Sequence, residues 1–405
     1  MPVNLLKTET IYPVKGIRLS GLAAGIKKNG KKDLALIEIS DGASVAAVFT
    51  QNKLCAAPVT VAKQHLEQLS PCYLLINSGN ANAGTGEQGV LDAKRSCQII
   101  ADVFSSNEKS VLPFSTGVIC EPLFVEKIDL AAAQLKSQLS ENGWQDASTA
   151  ILTTDTVEKV FSQQFDIAGE TITITGMAKG SGMIHPNMAT LLSFITTDVA
   201  IASPLLERMI QRLSGISFNS ITVDGDTSTN DACVLIATGA SNVKMSNEDD
   251  VAYAAVFSAL KKAFLYLAQA IIRDAEGATK FVTLQVDAAK SEAAARQVAY
   301  TVALSPLVKT ALFASDPNWG RILAAIGRSG ISDLVIEDIE IILGHVPLVL
   351  KAGIHPDYKE ADAQAVMNEE EITIRIVLNQ GDSSATVWTS DLSYDYVRIN
   401  AEYRT

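Results

Sequence analysis

An alcohol nucleophile needs a base beside it, and one segment of this chain could supply both from a single residue. It runs Gly176-Met177-Ala178-Lys179-Gly180-Ser181-Gly182-Met183-Ile184-His185-Pro186-Asn187-Met188-Ala189-Thr190. A glycine-rich loop leads into a small residue, Ala189, and then a threonine opens an apolar, β-rich run to Thr197. A threonine Oγ is weakly nucleophilic, but a free α-amine on the same residue, with an ordinary pKa of about 7.7 to 8.0, can act as its base near neutrality. Exposing that amine means cutting Ala189–Thr190. The hydroxyl can do so itself by attacking the preceding carbonyl to form an ester that water opens. On spacing alone a threonine that merely begins a strand is the simpler explanation, and both readings stand at this point. His185, five residues earlier, is a tempting base but reads as local structure.

Two glycine loops mimic nucleotide sites. Gly25 to Lys32 nearly spells a phosphate-binding loop, yet its last position, which should offer magnesium a hydroxyl, is Lys32. Gly84-Thr85-Gly86-Glu87-Gln88-Gly89 matches the dinucleotide spacing. However, the residues from Asn77 to Ala83 intervene where the fingerprint needs a tight turn, and the following strand ends in Ser115-Thr116 rather than an acidic ribose ligand.

The 33 Lys and Arg against 45 Asp and Glu give a net charge of −12, which disfavours a nucleic-acid partner. Five scattered cysteines with no Cys-x-x-Cys pair, and four histidines with no metal-spaced pair, argue against a disulfide scaffold and a zinc site. The acidic stretch Asp224 to Asp231 lacks the glycine and distal glutamate of a calcium loop, so it reads as structural, and no metal is expected. Val251 to Ile272 is the most apolar candidate for a membrane span, but Lys261, Lys262 and regular polar positions make it a buried amphipathic helix; no membrane partner is expected. The start, MPVNLLKTET, lacks the pattern of a secretory signal, so the expected location is the cytoplasm, or an organelle after loss of a transit peptide.

The elements that would position these residues can be read from periodicity. Leu34–Ile39 and Ala43–Phe49, separated by Ser40-Asp41-Gly42, read as a hairpin. Tyr73–Ile76 is a strand leading into an Asn-rich loop, followed by a helix from about Gly89 to Phe104 and a short strand ending in Ser115-Thr116-Gly117. A helix is expected over Phe124–Leu139, a half-buried strand over Thr171–Thr175, and a helix from Ser203-Pro204 to about Leu213. A long helix from about Asp249 to Arg273 precedes a strand over Phe281–Val286 and helices over Ser291–Ala303 and Pro306–Ala314. Later strands lie around Val335–Leu343, Ile372–Leu378 and Ala385–Thr389. Strands alternate with helices but hairpins intrude, so the expected class is α+β (mixed α/β), with layered sheets flanked by helices. The expected domains are 1–280, carrying the cleavage site, and a smaller C-terminal α/β domain, 281–405.

Several motifs in order resemble one family. They are Asn77-Ser78-Gly79-Asn80-Ala81-Asn82, Ser115-Thr116-Gly117, Thr153-Thr154-Asp155-Thr156, the loop from Gly176 to Thr190, Asp224-Gly225-Asp226-Thr227-Ser228-Thr229-Asn230-Asp231, and Asp274-Ala275-Glu276-Gly277. Along essentially its whole length the chain is similar to the ornithine acetyltransferases of the arginine pathway, self-processing N-terminal-threonine enzymes also called glutamate N-acetyltransferases. The resemblance reverses the balance at Thr190. It implies a ping-pong transfer in which acetylornithine acetylates Thr190, ornithine leaves, and glutamate takes the acetyl group. Cleavage at Ala189–Thr190 would give chains 1–189 and 190–405, assembled as two copies of each. No cofactor is implied, although some members of that family also take acetyl-CoA as donor.

By the same resemblance Thr116 and Gly117 form the oxyanion hole. Thr153, Lys179, Thr190, Glu276, Asn400 and Thr405 contact substrate, with Lys179 suited to a carboxylate and Glu276 to an ammonium. Considered alone, Ser-Thr-Gly is a turn, Lys179 a solvated loop lysine, Thr153 part of a hydroxyl turn, and the chain end frayed. Glu276 near a helix C-terminus opposes the macrodipole, as a carboxylate reserved for a ligand would. Two other classes remain as alternatives: an N-terminal-nucleophile amidohydrolase or aminopeptidase with water as acceptor, and a nucleotide-binding protein using the Gly84 loop.

Overall fold

The computed structural model describes residues 2–185 and 191–402. The chain folds as two units. The larger holds Leu6–Asn219 and Asp226–Ile271; the smaller holds the N-terminal segment up to Leu5, Ser220–Gly225 and the chain from Ile272 onward.

The larger unit contains strands β1 (Ile17–Leu22), β2 (Leu34–Ile39), β3 (Ser44–Phe49), β4 (Tyr73–Asn80), β5 (Val111–Val118), β6 (Lys159–Ile167), β7 (Glu170–Lys179), β8 (Leu192–Thr197), β9 (Ala200–Ile201), β10 (Ala232–Ala237) and β11 (Lys244–Met245). Its helices are α1 (Ala57–Gln68), α2 (Gly86–Phe104), α3 (Val125–Ser137), α4 (Trp144–Ala150), α5 (Ser203–Gly215) and α6 (Tyr253–Arg273), of which Ile272 and Arg273 are counted with the smaller unit. One sheet has the order β1-β2-β4-β5 and a second β3-β10-β8-β7-β6; β9 and β11 form a small pair.

The two large sheets stack because each strand offers them one apolar face. Ile37, Ile76 and Phe114 of the first meet Met177, Phe194 and Val234 of the second in one core, with the Phe114 and Phe194 rings edge-on at 5.2 Å. The opposite face of the first sheet, with Leu36 and Leu75, is covered by Cys97 and Ile100 of α2 and Ile128 and Leu135 of α3. On the second sheet α5 packs on β3 and β10, burying Leu206, Ile210 and Leu213 at helical spacing. The layered mixed α/β class is therefore what the sequence leads one to expect.

Several local expectations need correction. Leu34–Ile39 and the following strand do not form a hairpin. Strand β2 is already paired on both sides, by β1 and β4, so the turn at Asp41-Gly42 carries the chain to the other sheet, where β3 pairs with β10. The Asn-rich stretch is not all loop, because β4 continues to Asn80 with Asn77 opposite Leu34 on one side and Ser115 on the other. Polar residues that disfavour strands are held there by neighbours on both edges. Thr171–Thr175 is more deeply buried than alternation implied: Thr173 and Thr175 lie inside with Ile172 and Ile174, because β7 sits between β6 and β8. Helix α6 is long and apolar enough to cross a bilayer on composition, yet Val256, Leu260, Phe264 and Leu267 are buried inside the protein while Lys261 and Lys262 face out.

The smaller unit has strands β12 (Phe281–Ala289), β13 (Glu340–Leu343), β14 (Val346–Leu350), β15 (Gly353–Ile354), β16 (Glu371–Val377) and β17 (Ser383–Ser390) in the order β15-β14-β13-β16-β12-β17. Helices α7 (Glu292–Ala303), α8 (Pro306–Phe313), α9 (Trp319–Gly327), α10 (Glu360–Asn368) and α11 (Tyr394–Ala401) accompany it. Ser291 and Ser305 accept backbone N–H groups at the starts of α7 and α8, as N-caps do. Val282, Leu284 and Val286 of β12 pack with Val298 and Val302 of α7 and Ile322 and Ile326 of α9. The segment from Ser220 joins this unit because Ile221 bridges to Trp388 and the Thr222 N–H donates to the Trp388 carbonyl at 3.0 Å.

Candidate active site

Where the core between the two large sheets reaches the ends of β5 and β7, it turns from apolar to charged. Lys179 is the last residue of β7 and is only 3% exposed. Alternation places its side chain on the same face as Met177, which belongs to the inter-sheet core, and its Nζ donates to Thr116 Oγ1 of β5 at 3.2 Å. The structure thus brings together two residues 63 positions apart.

Gly117 follows with a φ of +136°, and a Cβ there would lie 2.3 Å from the Gly79 carbonyl carbon of β4. Only glycine permits this approach, which draws the end of β5 against Gly79 and Asn80 of β4. The strand end is braced from below. Ser115 Oγ donates to Asn77 Oδ1 at 2.5 Å, Asn77 Nδ2 to the Asn80 carbonyl at 2.8 Å, and Ser78 Oγ to the Ala150 carbonyl at 2.5 Å.

Beside Lys179 lies an ion pair that sequence reasoning missed. Asp155, in the Thr-Thr-Asp-Thr loop, has a fully buried side chain 2.6 Å from the equally buried Lys159 Nζ. Its Oδ1 accepts the Gly180 N–H at 2.7 Å and its Oδ2 the Thr153 N–H at 3.1 Å. Burial is the strongest influence and favours the protonated acid, but Lys159, Lys179 and the Gly180 amide together outweigh it. They hold the carboxyl well below the usual carboxylate range. Thr153 is therefore placed by Asp155, while Thr154 Oγ1 bonds Ser181 Oγ at 2.8 Å. An i,i+4 acid and lysine is the one signal the sequence carried for this pair.

Lys27, in the connection between β1 and β2, is a second missed residue. Its Nζ donates to the Leu152 carbonyl at 2.7 Å and the Lys32 carbonyl at 2.9 Å. Burial pushes its ammonium down to about 8, against the attraction of Asp33 and with the help of Lys179. The connection is no phosphate cradle: Asp33 already accepts the Ala24 and Lys27 N–H groups, at 2.6 and 2.8 Å. The Gly84 loop is likewise closed on itself, Asn82 Nδ2 donating to the Gly89 carbonyl and Thr85 Oγ1 to Asn82 Oδ1, each at 2.9 Å.

In the smaller unit Glu276 lies in the turn beyond α6 rather than in its last turn, and its Oε2 accepts from Asn400 Nδ2 of α11 at 2.8 Å. Ser393 Oγ donates to the Gly277 carbonyl at 2.6 Å, which fastens the turn to the start of α11. Two residues from opposite ends of this unit, Glu276 and Asn400, are thereby joined. Burial lowers the pKa of His185, opposed by Asp226. Thr190, Ala189 and Thr405 lie outside the described residues. Among the described residues no group of three or more His, Cys, Asp or Glu could hold a metal ion.

Stacked sheets with helices outside, and an inter-sheet core that ends in buried cations beside a glycine-tight strand pair, define a layered mixed α/β enzyme. The chain belongs to the ArgJ family, which it matches over residues 18–405. It is 50% identical over 406 residues to an arginine biosynthesis bifunctional protein ArgJ of Pseudomonas fluorescens, covering 100% of both chains. To the protein of that name from Methylococcus capsulatus it is 52% identical over 395 residues, covering 98% of this chain and 97% of the relative. The crystal structure of an arginine biosynthesis bifunctional protein ArgJ from Bacillus halodurans matches with a TM-score of 0.50 and 39% identity, covering 52% of this chain and 98% of that one.

Proposed function

We propose that this acetyltransferase of arginine biosynthesis moves an acetyl group from N2-acetylornithine to glutamate through an acetyl-threonine at Thr190. The observation that carries the reading is the convergence of Lys179, Thr116 and Gly117 at the end of the inter-sheet core. In the first half-reaction Thr190 Oγ attacks the acetyl carbonyl while the α-amine of the same residue takes its proton. The C–N bond then breaks, the proton passes to the departing amine, and ornithine leaves. In the second, the glutamate amine attacks the ester, its proton returns to Thr190 Oγ, and N-acetylglutamate departs. Each tetrahedral step gathers negative charge on the acetyl oxygen, and Thr116 and Gly117 supply its hydrogen-bond donors.

Lys179 receives the substrate carboxylate and Glu276 its ammonium, with Thr153, Asn400 and Thr405 as further substrate contacts. Cleavage at Ala189–Thr190 creates the nucleophile and leaves chains 1–189 and 190–405, two of each in the assembly. A solved relative whose chain aligns almost whole with about half of this one agrees with a severed precursor. Acetyl transfer from acetyl-CoA to glutamate, which the family resemblance allows, belongs to the proposal as a second reaction; the relatives are called bifunctional. The enzyme is placed in the cytoplasm, with small soluble substrates and no bound cofactor.

The test pairs the denatured intact mass of the wild type with that of Thr190→Ala, and assays ornithine release with and without glutamate. Two wild-type fragments meeting at Ala189/Thr190, one intact mutant chain, and ornithine release that needs both Thr190 and glutamate are expected. An intact but active wild type would remove the free-amine mechanism. Acetate release indifferent to glutamate would make the enzyme a hydrolase.

A further inference from the structure

The motif from Asp224 to Asp231 reads from sequence as a structural loop, yet its last two residues occupy a particular place. Asn230 is 6% and Asp231 1% exposed. Asn230 Nδ2 donates to the Ser115 carbonyl at 2.9 Å and to the Ala81 carbonyl at 2.6 Å, while its Oδ1 accepts from Thr229 Oγ1 at 2.5 Å. The Ser115 carbonyl belongs to the peptide group whose N–H is that of Thr116, and a peptide group is planar, so holding the oxygen fixes the direction of that N–H. The neighbouring residue grips the other half of the chemistry: Asp231 Oδ1 accepts the Leu191 N–H at 2.7 Å, and Leu191 directly follows Thr190.

The segment that carries both grips is itself immobilised. Thr50 Oγ1 donates to the Ser228 carbonyl at 2.7 Å, the Thr50 N–H to the Asp231 carbonyl at 3.0 Å, and the Ala56 N–H to the Thr229 carbonyl at 2.9 Å. Immediately afterwards the chain becomes β10, whose Ala232 N–H donates to the Leu191 carbonyl at 3.1 Å and which pairs in parallel with β8.

We infer that Asn230 and Asp231 are a positioning pair, one residue orienting the Thr116 peptide and the next anchoring Leu191, the residue after Thr190, so that a single rigid dipeptide ties the two segments together. The inference rests on the acetyl-threonine reading and adds two residues to it. Both are buried and occupied with backbone groups, so their loss should leave binding in place and slow the chemistry, since a displacement of about 1 Å costs on the order of a hundredfold in rate.

The experiment uses the full-length chain and compares wild type with Asn230→Ala, Asp231→Ala and Asp231→Asn. It measures the processed fraction by denatured intact mass, kcat and KM for ornithine formation, and melting temperature. Expected for both alanine variants is a fall in kcat of about a hundredfold with KM within about threefold of wild type, and for Asp231→Ala slower processing as well. Asp231→Asn keeps an acceptor oxygen for the Leu191 N–H and should recover most of the processing and kcat. This rescue also covers the case in which Asp231→Ala fails to fold. Alanine variants with wild-type kcat, a loss confined to KM, or an Asp231→Asn as impaired as Asp231→Ala would overturn the inference. If the wild type itself is not cut at Ala189/Thr190, the acetyl-threonine reading fails; if it is cut and the variants behave as wild type, the positioning pair alone fails.

Discussion

At the scale of single residues, Gly117 shows how closely two strands can be drawn together where a side chain is absent. Its φ of +136° and the 2.3 Å from a would-be Cβ to the Gly79 carbonyl carbon mean that Gly117→Ala must push β4 and β5 apart. Left-handed strain of this kind costs about 1 to 3 kcal/mol, and under the proposed oxyanion role of Thr116 and Gly117 the displacement adds a catalytic loss. The expected outcome is a fall in kcat of a hundredfold or more with a modestly lower denaturant midpoint; a folded Gly117→Ala with wild-type kcat would remove the strand end from the chemistry. Thr116, Gly117 and Lys179 are singled out by short motifs that resemble those of a known family, and the fold brings Lys179 to Thr116. Asp155 was not, since an aspartate among threonines reads as a turn former, and only the tertiary fold reveals that its side chain is buried with Lys159.

Among the elements, the loop between α4 and β6 is secured to the end of β7 by that buried carboxylate, which accepts from Lys159, Thr153 and Gly180. Asp155→Asn leaves Lys159 buried without its counter-charge, a change that typically costs about 3 to 5 kcal/mol. Because the folded carboxyl titrates well below its unfolded value, its contribution is complete above the unfolded pKa, about 4, and is lost as pH falls toward the folded one. Urea midpoints of wild type and Asp155→Asn should therefore differ most near pH 7 and converge below about pH 4; a difference that does not change with pH would exclude the ion pair as its source. The same region shows what periodicity leaves out. β6 and β10 were not anticipated, and the turn after β2 was misread as a hairpin, because which strands pair depends on edges already occupied rather than on the turn sequence. The long, regular helices α2, α5 and α6 were legible because their apolar faces repeat over three turns or more.

For the molecule as a whole, strand order decides what a cut at the proposed site would do. A cut at Ala189–Thr190 leaves β3, β6 and β7 on one chain and β8 and β10 on the other, while the sheet order is β3-β10-β8-β7-β6. The second chain's strands are thus held between strands of the first, by the antiparallel ladder of β8 with β7 on one side and that of β10 with β3 on the other. Every residue of β8 and β10 is buried, and Phe194 and Val234 lie in the core shared with the first sheet. Pulling the chains apart would expose both faces of two central strands and break two backbone ladders, which amounts to unfolding the larger unit. The processed chains should therefore co-elute as one species on native size exclusion even after dilution to nanomolar concentration, and should separate only within a single cooperative unfolding transition. Free 1–189 chain under native conditions, or a separation that precedes loss of secondary structure, would show that the ladders across the cut are not what holds the processed enzyme together.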